Sequence, residues 1–303
     1  MDGLESNEES KNCMNMRISN RYRFLCIFIL CLFCFAAAGQ KKITILYTND
    51  THSRIEPFGK NQPDSSLVDK AGFVRRATFI AQERRDDKHL LLFDSGDFSQ
   101  GSPYYTFFKG DVEVLLMNEM RYDAVAIGNH EFDYGLDNMA RLFRLARFPI
   151  VCANYCVDGT VLQSLVKPYI ILKCKGLKIG VFGLSPRLIG LVQNKNCSGI
   201  YYMDPVECAN QVADELKNKK KCDLVICLSH LGWKGQMSDE YLIPHSHHID
   251  IVLGGHSHSY FEKPLYYNDA DGNKVLLTQM GKNGQYVGKM VVEMKRNKDK
   301  KKK

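Results

Sequence analysis

Aspartate, asparagine and histidine recur at five points of the chain, each directly after a short apolar run. The five segments are Asn49-Asp50-Thr51-His52, Asp94-Ser95-Gly96-Asp97, Gly128-Asn129-His130-Glu131, Ser229-His230 and Gly255-His256-Ser257-His258. One such segment alone would be an ordinary turn, because Asp, Asn and Gly are common turn formers. Together the five supply carboxylate, amide and imidazole groups, which bind first-row transition metals when thiolate is absent. About seven oxygen and nitrogen ligands suit two metal ions that share a bridging carboxylate.

The elements around these segments must bring them together. Apolar and β-branched runs predict the five preceding strands, over 43–48, 90–93, 124–127, 223–228 and 249–253. Helical spacing predicts helices over 68–85, 104–120 and 136–146. A hairpin about Lys175-Gly176 and strands over 274–278 and 287–294 are expected later. This order predicts a mixed α/β domain, and open α/β sheets place their sites where strands end.

Other residues whose side chains could take part in chemistry are expected to have structural roles. Tyr104, Tyr105, Phe107 and Phe108 are expected to pack as the core face of their helix rather than to stack on a base. The histidines of "PHSHH", at 245, 247 and 248, are interpreted as a solvated surface before a strand. We therefore expect neither group to belong to the site.

The composition is globular, with 45% hydrophobic and 25% charged residues in a chain of 303. The net charge of +7 is concentrated at the end, because 295–303 alone carries a net +6. The body of the chain is left with about +1, which is no electrostatic footprint for a nucleic-acid polymer. The lysine-rich end, 295–303, is expected to be a basic, disordered tail.

The N-terminal region has the pattern of a secretory signal. A basic segment at 20–23 precedes fifteen apolar residues at 24–38, and small residues follow. This apolar run is shorter than the ~20 residues that span a bilayer, so no stable membrane span is expected. We interpret 1–39 as a signal peptide with preceding residues, and the mature chain as exported to the periplasm or extracellular space.

Seven cysteines follow residue 39, and none of them forms a C-x-x-C pair. This spacing argues against a thiolate zinc site. Cys222 and Cys227 flank or lie in an apolar strand, where cysteine commonly packs as a small hydrophobe. The sequence specifies no disulfide pairing.

The five polar segments match, in order, the signature D-x-H, G-D, G-N-H-[DE], a lone His and G-H-x-H. On these motifs the chain resembles the calcineurin-like metallophosphoesterase superfamily. Four segments are similar in sequence to its 5′-nucleotidase and UDP-sugar hydrolase branch: "ILYTNDTHS", "SGDFSQGS", "AIGNHEFDYG" and "LLTQMGKNGQYVGKM". The resemblance covers about 42–293, and it implies a catalytic domain over 40–294. The implied fold is a four-layer α-β-β-α sandwich of two mixed sheets.

The resemblance also implies a distribution of ligands over two divalent metal ions. Asp50, His52 and His258 would bind one ion. Asn129, His230 and His256 would bind the other, and Asp97 would bridge the two. The two histidines of the last segment would thus bind different ions. Zn, Mn, Fe and Co all suit such mixed oxygen and nitrogen ligation.

Two further residues receive catalytic roles from the resemblance. His130 would stabilise the phosphoryl transition state and help to protonate the leaving oxygen, and Asp133 would orient it and favour its protonated form. Asn129 and His130 would also contact the substrate. Glu131 is expected to brace a loop. Asp94 is expected either to support the ligands or simply to end its strand.

The implied activity is hydrolysis of a small phosphate ester, most simply a nucleotide, by a metal-activated hydroxide. A phosphodiesterase, including a 2′,3′-cyclic-nucleotide phosphodiesterase, is the alternative activity, because the same centre serves both. Members of this branch usually carry a C-terminal nucleotide-recognition domain, which is expected to be absent here. The domain could be a separate chain, the protein could act alone on varied esters, or it could be a non-catalytic metal-binding subunit. The intact ligand set and His130 favour catalysis.

Overall fold

A computed structural model describes residues 41–294. The predicted signal peptide, 1–39, and the predicted tail, 295–303, lie outside the described residues. One compact unit spans Ile43–Val292. Within the described part of the chain, none of the helices has the length and apolarity that a membrane crossing requires.

The described residues form fourteen strands and six α-helices. The strands are β1 (Lys41–Thr48), β2 (Leu91–Asp94), β3 (Ala124–Ala126), β4 (Ile150–Val151), β5 (Tyr155–Cys156), β6 (Val166–Lys167), β7 (Tyr169–Cys174), β8 (Leu177–Leu184), β9 (Tyr201–Tyr202), β10 (Leu224–Ser229), β11 (Ile251–Leu253), β12 (Leu265–Asn268), β13 (Lys274–Thr278) and β14 (Gly288–Met294). The helices are α1 (Phe73–Asp86), α2 (Pro103–Phe108), α3 (Asp111–Met120), α4 (Gly135–Leu145), α5 (Pro205–Asp214) and α6 (Asp239–Leu242). A π-helical turn, Glu215–Lys219, continues α5.

Two six-stranded sheets contain most of the strands. The first has the order β14-β1-β2-β3-β4-β6 and is parallel from β1 to β6. The second has the order β12-β13-β11-β10-β8-β7. Its four central strands are parallel, and β12 and β7 are antiparallel at its two edges. Because neighbouring parallel strands end at the same edge of a sheet, the polar segments after β1, β2, β3, β10 and β11 are brought together.

Each sheet has helices on one face only. Leu46, Leu92 and Val125 of the first sheet share a buried cluster with residues of α1, α3 and α4. Phe182 and Val225 of the second sheet share another cluster with residues of α5 and α6. Strand side chains alternate between faces, so the other face of each sheet is directed away from its helices.

The remaining faces of the two sheets pack against each other. Tyr47 on β1 and Thr278 on β13 share a hydrogen bond of 3.1 Å. The backbone N–H of Ala153, just after β4, donates to the carbonyl of Gly183 on β8 at 2.8 Å. The layers therefore run helix, sheet, sheet, helix, which confirms the predicted four-layer sandwich.

One predicted helix is wrong in its details. The stretch 104–120 is two helices, α2 and α3, separated by Lys109 and Gly110 with φ of +51° and +101°. The prediction that the α2 aromatics form a core face is also wrong. Tyr105 is buried, but the side chains of Phe107 and Phe108 are 78% and 52% exposed. Helical spacing identified the periodicity, but it could not show the left-handed turn at Lys109 and Gly110, which ends α2 and leaves Phe107 and Phe108 exposed.

The seven cysteines after residue 39 are all unpaired in the structure. Cys227 lies on β10 and is fully buried, as expected for a small hydrophobic side chain. Burial raises the pKa of its thiol well above the ordinary value. It is therefore a packing residue rather than a reactive one.

Gly183→Ala tests the close approach of the two sheets. A Cβ at this position would lie 2.1 Å from the carbonyl oxygen of Val151, and a backbone atom cannot move aside as a flexible side chain can. We expect the free energy of unfolding to fall by about 1–3 kcal/mol or more. Chemical denaturation followed by circular dichroism measures the change.

Gly59→Ala is the matched control, because nothing lies within 4 Å of a Cβ placed there. This variant should unfold at the wild-type denaturant concentration. Equal midpoints for the two variants would contradict the packing described for β4 and β8.

Candidate metal centre

The segments after β1 and β2 run side by side into the centre. The N–H groups of Asp50 and His52 donate to the carbonyls of Gly96 and Asp97 at 2.9 and 3.0 Å. Ser95 links this pair to the second sheet, because its hydroxyl donates to the carbonyl of Leu253 at 2.7 Å. The parallel pairing of the strands thus continues into the loops, which fixes the positions of both aspartates.

Asp50, His52 and His258 form a first cluster. Their potential ligand atoms all lie within 4.8 Å of one another. The Nε2 atoms of His52 and His258 are 3.0 Å apart, and Oδ1 of Asp50 lies 3.4 Å from Nε2 of His258. The three residues come from opposite ends of the described chain, so only the fold brings them together.

Asp97, His230 and His256 form a second cluster with the same 4.8 Å limit between ligand atoms. Oδ2 of Asp97 lies 3.0 Å from Nε2 of His230. Oδ1 of Asp50 lies 3.8 Å from the same nitrogen, so the first cluster directly adjoins the second. His256 and His258 lie in different clusters.

Buried lone pairs of His230 and Asn129 receive no hydrogen bond from the other described residues. Nδ1 of His230 donates to the carbonyl of Ser95 at 2.6 Å, which leaves a lone pair on Nε2 directed at the Asp97 carboxylate. Oδ1 of Asn129 is buried and has no hydrogen-bond partner among the described residues. Lone pairs crowded in this way require a cation between them, either a proton or a metal ion. The donor set is nitrogen and oxygen only, which fits divalent first-row metals.

The charges of the second cluster perturb one another strongly. Burial opposes protonation of His230, but the Asp97 and Asp50 carboxylates outweigh it and raise the pKa of His230 to about 10. Burial alone would raise the pKa of Asp97, yet the imidazoles of His230, His130 and His52 hold it well below the ordinary value. The centre thus favours a positive charge beside Asp97.

Five of the predicted metal residues adopt left-handed backbone conformations. They are Asp50, His52, Asp97, His256 and His258, with φ between +43° and +69°. Such conformations are unfavourable for residues with a Cβ and persist only where the surroundings impose them, most often at functional sites. The strain lies in the residues that would contact the ions.

Glu131 makes the loop-bracing contacts that were expected of it. Its buried carboxylate accepts hydrogen bonds from the N–H groups of Asp97 at 3.0 Å and Gly128 at 2.7 Å. It also accepts from the hydroxyl of Ser99 at 3.1 Å. Burial and the charge of Asp97 raise the pKa of Glu131 to about 7. One carboxylate therefore joins the loops after β2 and β3.

His130 lies beside both clusters and contacts Asp133. Nδ1 of His130 is 3.2 and 3.1 Å from the two carboxylate oxygens of Asp133. The ring centroid of His130 is 5.5 Å from that of His52. The backbone N–H of His130 donates to Oδ1 of Asp97 at 2.9 Å. Burial lowers the pKa of His130, but the Asp133 hydrogen bond and the neighbouring carboxylates raise it overall. The short 3₁₀ helix His130–Phe132 places the pair three residues apart on one side.

Sequence reasoning missed the buried amides that position the loops. The side chain of Gln279 is fully buried and donates to the carbonyl of Gly255 at 2.8 Å. Its oxygen accepts from the N–H of Ser259 at 2.5 Å, so Gln279 holds both ends of the segment with the two histidines. Asn49 donates to Asp50 at 2.6 Å and to the carbonyl of Gly281 at 2.8 Å. Both amides lie in quoted motif blocks, but no pattern reveals a contact between positions 232 residues apart.

Gly255 is required by the close approach of three segments. A Cβ there would lie 2.8 Å from Nδ1 of His230 and 3.1 Å from the carbonyl of Ser95. This is the hydrogen-bonded pair that orients His230. The glycine before the histidines therefore leaves room for that interaction.

Asp239 is a buried carboxylate beneath the centre. Its Oδ1 accepts a 2.5 Å hydrogen bond from Ser229, the residue before His230, while Oδ2 is buried with no hydrogen-bond partner in the described part of the chain. Burial raises the pKa of Asp239 to about 7. Its ionised form is therefore unfavourable in the folded protein.

Comparison with known proteins agrees with this geometry. Residues 43–260 match the family described as calcineurin-like phosphoesterase. Snake venom 5'-nucleotidase of Crotalus adamanteus is 32% identical over 277 residues, covering 84% of this chain and 46% of that protein. The chain spans about half the length of the curated relatives it matches.

Solved structures show the same fold. The 5'-nucleotidase precursor from Thermus thermophilus superimposes with a TM-score of 0.76 at 29% identity, over 83% of this chain and 51% of that one. Calcineurin-like phosphoesterase YfkN from Bacillus subtilis gives a TM-score of 0.70 at 26% identity, over 86% and 87% of the two chains. The fold is therefore that of this family, and two candidate metal-binding groups lie at its strand ends. The chain belongs to the calcineurin-like phosphoesterase family.

Asp239→Asn should stabilise the protein increasingly as the pH rises. The pKa of Asp239 is raised in the folded state, so between about pH 4 and pH 7 the folded protein keeps a proton on Asp239 that the unfolded chain releases. The free energy of unfolding of the wild type therefore falls as the pH rises through this range. The variant removes that cost, and its gain over wild type should reach roughly 4 kcal/mol at pH 8 and shrink toward pH 5. Urea denaturation of chelator-treated protein across this range measures the difference.

Asp158→Asn, at an exposed aspartate, is the control and should show the same stability as wild type at every pH. A gain for Asp239→Asn that stays constant from pH 5 to pH 8 would contradict the raised pKa.

Proposed function

We propose that the chain hydrolyses phosphate esters with two divalent cations, acting as a 5′-nucleotidase-like phosphomonoesterase. The observation that carries the proposal is the contact between the two clusters, in which the buried imidazole of His230 lies within 4 Å of the carboxylates of both Asp50 and Asp97. So dense a set of lone pairs at the strand ends serves no packing purpose. The catalytic domain corresponds to 40–294.

Seven side chains would hold the cations. Asp50, His52 and His258 are proposed for one, and His230, His256 and Asn129 for the other, with Asp97 shared. The unpartnered amide oxygen of Asn129 supports its inclusion, since it is buried beside residues that contact Asp97. Such a pair of cations supplies an activated water and stabilises charge on phosphoryl oxygens.

His130 is proposed to act on the phosphoryl group as a proton donor. It lies at the boundary of the clusters, and its side chain is 25% exposed, so a substrate can reach it. Asp133 keeps Nδ1 protonated and raises the pKa of the ring, which leaves Nε2–H free to donate to the leaving oxygen. Asn129 and His130 would both contact the bound phosphate.

The proposed substrate is a nucleoside 5′-monophosphate, because curated relatives that are 31–32% identical to the chain are named 5'-nucleotidases. Those proteins are about twice as long as the region matched here. Recognition of the nucleoside is therefore proposed to involve a further domain, of the kind that lies outside the matched region of those relatives. Assays should include a small aryl phosphate, which makes few demands beyond the phosphate group.

Purified protein with added Mn²⁺, Co²⁺ or Zn²⁺ should hydrolyse an aryl phosphate and AMP. Asp97→Ala should lose both activity and bound metal, because it removes the shared carboxylate. His130→Ala should retain both metals and lose about 10²–10⁴-fold in kcat. Metal content by elemental analysis and phosphate release provide the two measurements.

His89→Ala is the matched control, since His89 is an exposed histidine outside the clusters, and it should keep wild-type rate and metal content. The proposal would be abandoned if metal-loaded protein released no phosphate from any monoester. Turnover of a cyclic or bis-ester alone would instead assign a phosphodiesterase.

Export is proposed from the sequence of 1–39 alone. When the full chain is produced in a host with a secretory pathway, mass spectrometry of the recovered protein should find an N-terminus near Gln40. An intact Met1 on protein retained inside the cell would overturn this proposal.

A further inference from the structure

A second cavity lies beside the metal centre rather than in it. It has a volume of about 420 Å³, within the range of small-molecule sites. Its walls include Lys70, Arg75, Arg76, Phe79, Gly284 and Tyr286. Three of these six residues have cationic side chains, two are aromatic and one is glycine. Asp69 is the single carboxylate among its lining residues.

Arg76 is the unusual member of this lining, because only 6% of it is exposed. Its Nε and Nη1 atoms are buried and have no hydrogen-bond partner in the described range. The guanidinium lies against the cavity wall, since a Cβ on Gly284 would be 2.0 Å from Nη1. Cζ of Arg76 lies 5.1 Å from the centroid of the Phe73 ring, but an aromatic face does not replace hydrogen-bond acceptors, which a bound anion would supply.

The nearby buried carboxylate does not provide that partner. The charge of Arg76 lowers the pKa of Asp94, but burial dominates and raises that pKa to about 7. The Asp94 oxygens accept instead from the hydroxyl of Thr48 at 2.6 Å and the N–H of Gly96 at 2.9 Å. The positive charge of Arg76 is therefore incompletely balanced within the protein.

The start of helix α1 adds to the positive potential. The helix has fourteen residues and begins at Phe73, and its N-cap, Gly72, supplies no side-chain hydrogen bond. Its first turn contains no acidic residue. The N–H of Phe73 donates to the carbonyl of Ile55 at 2.8 Å, so at this end the helix dipole and the N–H groups that follow Phe73 are what favours an anion. Gly72 and Arg75 line the same cavity.

The wall between this cavity and the metal centre is the segment 281–286. The N–H of Asn283 donates to the carbonyl of Asp50 at 2.7 Å. The ring of Tyr286 stacks on Tyr260 with centroids 4.0 Å apart, and Tyr260 follows His258 by two residues. The cavity is thus adjacent to the first cluster but uses none of its ligands.

We propose that this cavity is a separate anion site for a nucleotide-sized phosphate ester. Arg76 would bind the phosphate from the buried end, with Arg75 and Lys70 at the exposed side. The volume exceeds what a single phosphate requires, and Phe79 and Tyr286 offer apolar walls for a planar ring. The proposal does not depend on catalysis or on bound metal.

Calorimetric titration of the chelator-treated full chain with inorganic phosphate, AMP and adenosine tests the site without a contribution from metals. AMP should bind more tightly than phosphate, and adenosine should bind at least tenfold more weakly than AMP. Arg76→Met should lower the affinity for AMP roughly tenfold or more, because a charged hydrogen-bond pair is lost. Arg85→Met, at the exposed far end of the same helix, removes an equal charge and should change the affinity less than about twofold.

Thermal unfolding provides a second measurement. Arg76→Met should melt at or above the wild-type temperature, since it replaces an unpartnered buried charge with an apolar side chain. Added AMP should raise the melting temperature of wild type and leave that of the variant unchanged. If Arg76→Met does not fold, Arg75→Met at the exposed rim should still weaken AMP binding several-fold.

Three results would overturn the proposal. Metal-free wild type that binds neither phosphate nor AMP would exclude the site. Equal losses in Arg76→Met and Arg85→Met would assign the binding to overall charge. Adenosine that binds as tightly as AMP would show that the cavity recognises the ring rather than an anion. Each outcome is independent of whether the metal-loaded protein hydrolyses esters.

Discussion

The contact between the Asp97 carboxylate and His230 is the interaction on which the rest of the structure depends. It joins a loop of the first sheet to a strand end of the second, at 3.0 Å and fully buried. Because Nδ1 of His230 already donates to Ser95, the facing lone pairs require a positive charge between them. The sandwich, with its sheets packed closely at Gly183, brings these groups within range.

Neutral groups and one carboxylate hold the ligand loops around that contact. Glu131 binds the N–H groups of Asp97 and Gly128, Gln279 binds the histidine segment, and Asn49 binds Asp50. These bonds hold left-handed backbone that would otherwise relax. The hydrogen bonds thus fix the positions of the residues that would bind metal, which is how a rigid scaffold reduces the cost of binding.

Two charge arrangements of opposite kind lie on either side of the segment 281–286. The metal centre contains carboxylates and lone pairs that favour a cation. The neighbouring cavity is lined by Arg76, Arg75 and a helix start without a side-chain cap, which favour an anion. In the metal centre buried carboxylates and imidazoles crowd together, and in the cavity two buried nitrogens of Arg76 have no hydrogen-bond partner among the described residues, so each place favours an ion of the opposite charge. Asn283 and Tyr286 contact the metal-centre loops and line or adjoin the cavity.

The sequence by itself determined where the strands before the site lie along the chain, the polar segments that follow them and the residue types of both clusters. These follow from local periodicity and from motifs of a few residues. Only the tertiary structure decided the support from Gln279, the break between α2 and α3, and the buried Arg76. Each of these depends on contacts between distant parts of the chain or on the sign of one dihedral angle. Such contacts arise from the packing of two sheets, and a linear pattern contains no measure of that distance.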